Sequence, residues 1–261
     1  MGIDWKEVER LVKPAPNYRT LVKRNLEILS YDFVRKHYNH SMKQAENYSN
    51  RLFGNYPRPK YEEYIGKVGK VFRQLDRVGV KNYLEFIHHV ETKEKFEKFH
   101  NEAEFNIRDI IRTIKYLFFW VLPSKKYLRE LIDADNQKHL EYVTTLRENG
   151  IRVTLDILEK GRTKKGRQRI ALETGVPEDF VYDLVNRADF TRLPYVSGKT
   201  VRHYFGAGIK SLAKLAKAEL NQLTKDMAEY LDSIGMKLGR SVIELDKGIA
   251  LAKILPKIVE N

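Results

Sequence analysis

The chain has 261 residues, with 48 Lys and Arg against 35 Asp and Glu, a formal charge of +13, 42% hydrophobic residues and no cysteine. That length and apolar content suffice for one large or two ordinary packed domains and exclude general disorder, while the missing thiols exclude disulfides, thiolate zinc sites and a cysteine nucleophile. The positive field points to polyanions as partners: nucleic acid, an anionic membrane surface or an acidic protein.

The opening MGIDWKEVERLV carries an acid at Asp4 and no apolar run behind a basic cluster, so no secretory leader is expected. Lys6 stands where a myristoylation motif places Ser or Thr. An intracellular, cytoplasmic setting fits the absence of cysteine, and abundant Lys and Glu give the composition a thermophile-like cast. Leu21, Val22, Leu26, Leu29, Phe33 and Val34 form one apolar stripe at helical spacing, which predicts a single helix. The prolines of NYPRPK, Asn55 to Lys60, predict a turn or linker. Tyr61 to Ile87 then reads as short helices broken at Gly66, Gly69 and Gly79, and Thr92 to Phe105 as a charged helix with Phe96 and Phe99 inward.

Ile107 to Val121 is the most apolar helix expected. Its run YLFFWVL, closed by Pro123, is far short of the ~20 residues a membrane span needs, so it predicts a buried helix or a contact between copies through 107–122. A further helix is expected from Ser124. No alternating β-branched run occurs, and the expected class is all-α. The expected order is an N-terminal helical domain (1–135) with one repeat at about 61–90, a tandem-repeat domain (136–223) and a C-terminal helical extension (224–261).

Internal similarity carries more information. GKVFRQLDRVGVKNYLEFI, Gly69 to Ile87, aligns without a gap on GKTVRHYFGAGIKSLAKLA, Gly198 to Ala216. The two share Gly, Lys, Arg, Gly and Lys, and Val80, Tyr83 and Phe86 match Ile209, Leu212 and Leu215. A weaker copy, HLEYVTTLRENGIRVTLDIL, places Gly150-Ile151 on Gly208-Ile209. Each copy reads as a helix, a glycine turn and a second helix, the pattern of an array in which each unit buries one face on a neighbour. Gly79, Gly150 and Gly208 fall where a helix stops in the left-handed conformation. Two earlier turns, Gly66 to Lys70 and Pro194 to Lys199, precede helices whose first N–H groups can hold a phosphate.

The stretch LPYVSGKTVRHYFGAGIKSLAKLA resembles a helix-hairpin-helix unit, an element of many DNA-binding and DNA-repair proteins. Its family pattern is an apolar residue, Pro-Gly-apolar-Gly, a helix, then Gly-Ile and a second helix. With IALETGVPEDFVYDLVNRADFTRLPYV ahead of it, the segment from Lys138 to about Leu223 resembles a domain-of-unknown-function family built of such units in tandem. The resemblance rests on Glu173-Thr174-Gly175, Asn186, Ala188-Asp189-Phe190 and Arg192-Leu193. It implies phosphate contact by hairpin amides, yet the family's two hairpin glycines fall on Tyr195 and Ser197 here, with Gly198 one place later. In the first copy, YIGKVGK keeps Gly69 and has Lys67 in the other place.

The stronger functional signal is KGRTKKGRQR, Lys160 to Arg169, which has no acid and two glycines and therefore reads as a basic loop able to fan its charges toward phosphates. The candidate nucleic-acid contacts are Arg162, Lys164, Lys165, Arg167 and Arg169 in that loop, Lys199, Arg202, His203 and Lys210 at the second hairpin, and Lys70 and Arg73 in the first unit. His88, His89, His100 and Glu102 meet no metal-ligand spacing, and His37 and His40 read as surface residues. Tyr31, Tyr38, Tyr48, Tyr56, Tyr61 and Tyr64 interleave with Arg and Lys but fit core positions better than a base-stacking surface. No phosphate loop, His-Glu-x-x-His or Gly-x-Ser-x-Gly occurs, so neither an enzyme nor a bound cofactor or metal is expected. The expected function is nucleic-acid binding, duplex DNA slightly ahead of structured RNA or the ribosome, with a protein-docking or oligomerisation scaffold as the reading from another class and an enzyme acting on nucleic acid as the third.

Overall fold

The computed structural model describes residues 3–54, 59–103, 105–194, 196–238 and 242–260. Among these residues there are helices and no strand, so the chain is all-α. It divides into two compact units, Met1–Leu122 and Pro123–Asn261.

In the first unit, α1 (Trp5–Leu11) is capped by Asp4 and α2 (Tyr18–Leu29) by Asn17, whose side chains accept from first-turn amides. The expected single helix through Val34 is two: the chain breaks at Ser30 and an extended Tyr31, then resumes as α3 (Asp32–Tyr38). The two pieces still bury Leu21, Val22, Leu29, Phe33 and Val34 of the predicted stripe, while Leu26 is half-buried. Then follow α4 (Met42–Gly54), α5 (Pro59–Arg77), α6 (Tyr83–His89), α7 (Lys93–Ala103) and α8 (Ile107–Tyr116), which continues into a π-helical turn, Leu117–Val121. The expected turn at Asn55 to Lys60 lies outside the described residues as far as position 58, as do Tyr56 and Glu104.

Two expectations for this unit are corrected. Gly66 and Gly69 do not break the chain; both lie inside the continuous α5, where a helical glycine costs only about 1 kcal/mol against alanine. No helix starts at Lys70, so no N-terminal amides are presented there. His40 is not a surface residue either: its ring is half-buried, with centroids 5.0 Å from Tyr48 and 5.5 Å from Tyr83. The core gathers α8 against α1, α2 and α5, and Ile110, Ile111, Ile114, Tyr116, Leu117 and Val121 are buried within the unit itself. That run, proposed from sequence as a contact between copies, is thus largely engaged by its own core. Phe96 and Phe99 of α7 point inward as expected.

In the second unit, no α-helix starts at Ser124. The Thr154 hydroxyl donates to the Ser124 carbonyl and accepts the Lys126 amide, which holds this stretch extended, and a single 3₁₀ turn, Leu128–Leu131, follows. Then come α9 (Gln137–Glu148), α10 (Thr154–Gly161), α11 (Lys164–Thr174), α12 (Glu178–Phe190), α13 (Gly198–Gly206), α14 (Leu212–Ala216), α15 (Leu220–Ser233) and α16 (Val242–Ile254). Residues 123–135, assigned from sequence to the first domain, lie in this second unit, where the 3₁₀ turn packs on α12 and α13. Helix α12 is the hub: it packs on α10, α11, α13 and α14 and buries Val181, Leu184, Val185, Ala188 and Phe190.

The three aligned glycine turns have one geometry. Gly79, Gly150 and Gly208 take φ of +86°, +76° and +79°. The next amide reaches back five residues in each: Val80 to Leu75 at 3.0 Å, Ile151 to Leu146 at 2.9 Å, Ile209 to Tyr204 at 2.8 Å. This is the Schellman closure, which satisfies carbonyls left over at a helix end and turns an apolar residue into the core. Asn82, Val153 and Ser211 then take extended backbone ahead of α6, α10 and α14. In the first two turns the likeness goes further. Tyr83 donates its amide to the His40 carbonyl and Thr154 to that of Lys126, and Ser41 and Tyr127 form isolated bridges to Asn82 and Val153.

Candidate functional site

The basic stretch is not a loop. Gly161 ends α10, Thr163 caps α11 by accepting the Gly166 amide at 3.0 Å, and the remainder is helical. Its glycines serve close packing instead of flexibility. A Cβ on Gly161 would lie 2.9 Å from Val185 Cγ2, and one on Gly166 would overlap the Lys160 carbonyl.

Helix formation sorts the predicted contacts. Lys164 and Lys165 occupy the first two positions of α11, and together with Lys160 and Arg169 they are exposed and form no ion pair among the described residues. Arg162 is half-buried, its Nη1 donating to the Glu159 carbonyl at 2.7 Å and lying 3.7 Å from the Glu159 carboxylate. Arg167 is a correction. It is only 4% exposed, with its guanidinium 4.5 Å from the Tyr182 ring centre and Nη1 donating to the Glu260 carbonyl at 3.0 Å. An arginine so enclosed fastens the fold and presents no charge to a polymer.

The hairpin is packed by its own chain. Ser197 caps α13 by accepting the Thr200 amide at 3.0 Å, and a Cβ on Gly198 would overlap the Glu130 carbonyl, so this glycine admits the 3₁₀ turn. Arg202 donates to the same carbonyl and lies 3.6 Å from the Asp133 carboxylate. His203 is half-buried beside Tyr230; burial, then the charges of Lys199 and Arg202, lower its pKa, so it is neutral at pH 7. Lys199 and Lys210 are exposed, the latter just after the Gly208 turn. Tyr195 lies outside the described residues. The main packing partners of α13 are the 3₁₀ turn, α12 and α15, and those of α11 are α10 and α12, so the two predicted sets share the hub but are not main partners of each other.

In the first unit, Arg73 pairs with Glu46. Lys70 and Arg77 are exposed and, with Arg73, Gln74, Asn106 and Asp109, line a cavity of about 390 Å³. Among the described residues no three His, Asp or Glu side chains meet as a metal would require. His100 faces the Phe105 carbonyl at 2.7 Å and His89 stacks on Phe99. No described helix is long and apolar enough to cross a membrane.

The sequence assigns no role to two features. One is the buried pair Asp189–Arg192, at 2.7 Å, beneath a cavity of about 310 Å³ that Asn186, Ser211 and Lys217 also line. Burial pushes the Asp189 carboxyl above its usual range while the Arg192 guanidinium pulls it down. The other is Glu260, whose partners lie more than ninety residues back along the chain.

Residues 137–247, from the first residue of α9 into α16, match the family described as Domain of unknown function (DUF4332). No curated protein and no solved structure matches the chain.

Proposed function

We propose that this protein binds the phosphate backbone of nucleic acid, duplex DNA before structured RNA, without catalysing a reaction, and that α11 is its principal contact. The observation that carries this reading is the placement of Lys164 and Lys165 on the first turn of a helix that has no acid there. The helix dipole makes that end positive, so two lysines there work against helix stability, by about 0.3–1 kcal/mol each. The one carboxylate that reaches this end, Glu260 at the Lys164 amide, leaves both lysine side chains exposed and without an ion pair among the described residues, an arrangement that suits an anion brought from outside. Exposed Lys160 and Arg169 extend it along the same segment.

The overall charge of +13 would steer any polyanion toward the chain, and the resemblance of the second unit to tandem DNA-binding units favours the duplex. Filter binding of a duplex and a structured RNA at increasing salt tests the reading. With Lys160, Lys164, Lys165 and Arg169 engaged, the logarithm of affinity should fall against the logarithm of salt with a slope of about −3 to −4. A flat response would remove nucleic acid as the partner. Tighter binding of RNA than DNA at every salt would move the polymer to RNA. A protein partner has one feature in its favour, Leu172, 86% exposed three residues beyond Arg169 on α11.

A further inference from the structure

The N-terminus of α11 is already occupied. The Lys164 amide donates to the Glu260 carboxylate at 3.0 Å, across ninety-six residues of sequence. The backbone of Glu260 is fastened on both sides, its amide donating to the Arg162 carbonyl at 2.9 Å and its carbonyl accepting from Arg167 Nη1. Farther back, Ile258 and Val259 are buried, and Arg192 Nη1 donates to the Pro256 carbonyl at 2.8 Å. The tail is therefore a strap held by two buried arginines and two apolar side chains. Glu260 itself is exposed.

That division matters. The strap stays in place through contacts that do not involve the Glu260 carboxylate, and the carboxylate can leave its seat by rotating about its own side-chain bonds. What it would vacate is a helix-terminal N–H beside the exposed Lys164 and Lys165 side chains, a setting that accepts a phosphate oxygen as readily as a carboxylate oxygen. A carboxylate delivered there from the far end of the unit acts as a resident anion.

We infer that the α11 N-terminus is a phosphate seat and that Glu260 is its built-in competitor, so that an incoming phosphate group must displace the carboxylate before the contact with α11 is complete. This inference rests on the nucleic-acid reading of α11. The device sets a threshold: weak, singly charged anions meet an occupied seat, while a polymer that also engages Lys160, Lys165 and Arg169 can displace the side chain.

The test uses the full chain, wild type against Glu260→Ala and Glu260→Gln, with inorganic phosphate and then a DNA duplex as probes. Phosphate is followed at the Lys164 amide by ¹H–¹⁵N NMR. The Ala variant, whose seat is open, should reach its half-shift at about two- to fivefold less phosphate than wild type, the range one charge at a helix end provides, with Gln between them. Duplex affinity should rise by a similar factor, with the melting temperature little changed because the strap's other contacts remain. Equal phosphate response in all three chains, with duplex affinity unchanged, overturns the competitor while leaving nucleic-acid binding standing. Failure of every chain to bind duplex or RNA at low salt overturns the nucleic-acid reading and the inference with it.

Discussion

Arg167 and Glu260 are joined side chain to backbone, Nη1 to carbonyl oxygen at 3.0 Å, and this one bond ties the second turn region of α11 to the last described residue of the chain. The guanidinium also lies over the Tyr182 ring. Replacing Arg167 by Ala would strand the tail carbonyl and remove a packed side chain. The expected loss is about 1–3 kcal/mol in urea unfolding. Nucleic-acid affinity at temperatures well below melting should change far less than it does for the exposed lysines.

The exposed set behaves in the opposite way. Changing Lys164, Lys165 and Arg169 to Glu converts three attractions to repulsions and should weaken duplex binding on the order of 100-fold at moderate salt. Stability should change little, because acids suit positions 164 and 165 at the helix start but repel the Glu260 carboxylate bonded to the Lys164 amide, and position 169 lies beyond the first turn. Gel shift and thermal melting on the same preparations separate the two effects.

Gly198 distinguishes packing from phosphate approach at the hairpin. A Cβ there would overlap the Glu130 carbonyl, so Gly198→Ala should destabilise the second unit by about 1–3 kcal/mol. Lys199→Ala, at an exposed position, should leave melting unchanged and lower affinity by no more than about tenfold. A large loss of binding in Lys199→Ala with none in the α11 triple variant would move the contact to the hairpin.

Histidine sets a pH dependence. Burial lowers the pKa of His40 from 6.5, outweighing a backbone contact with His37 that raises it, and the ring Nδ1 is enclosed. The unfolded chain therefore takes up a proton at a higher pH than the folded one. Above pH 6.5 both states are neutral there; as pH falls below 6.5 the unfolded state gains, until the folded ring also protonates. First-unit stability should thus drop on acidification, with a slope no greater than about 1.4 kcal/mol per pH unit from this group. Urea midpoints between pH 7.5 and 5.5 should show a shallower slope in His40→Gln.

At Gly79 and Gly208 no atom would touch an added Cβ, so substitution there reports backbone conformation alone. Gly79→Ala and Gly208→Ala should each lose about 1–2 kcal/mol, the penalty of the left-handed region for a residue with a Cβ. Asn at the same positions should lose less. Chemical denaturation followed by far-ultraviolet circular dichroism measures both.

These turns were legible in sequence because a glycine at a helix end followed by an apolar residue has one common explanation, the left-handed stop. Gly66, Gly69, Gly161 and Gly166 look identical to the eye and serve otherwise: the first pair rides inside α5, and the second pair makes room for Val185 and for the Lys160 carbonyl. Only the neighbours, brought from elsewhere in the chain, tell a glycine used for its dihedral angles from one used for its small size. The same reason hid Arg167. In sequence it is one cation among many, and its burial depends on Tyr182 and Glu260, which no local pattern associates with it. The all-α class, set by periodicity, needed no such long-range information.

The bonds from Tyr83 to His40 and from Thr154 to Lys126 have a kinetic consequence. An amide just past a turn ordinarily exchanges its hydrogen with solvent quickly, because fraying of a single helix end exposes it. Here each of these amides is latched to a segment remote in sequence, so fraying alone does not release it. Exchange must wait until two separate stretches part together, and the slow amides at positions 83 and 154 would then time the opening of a whole packed subassembly.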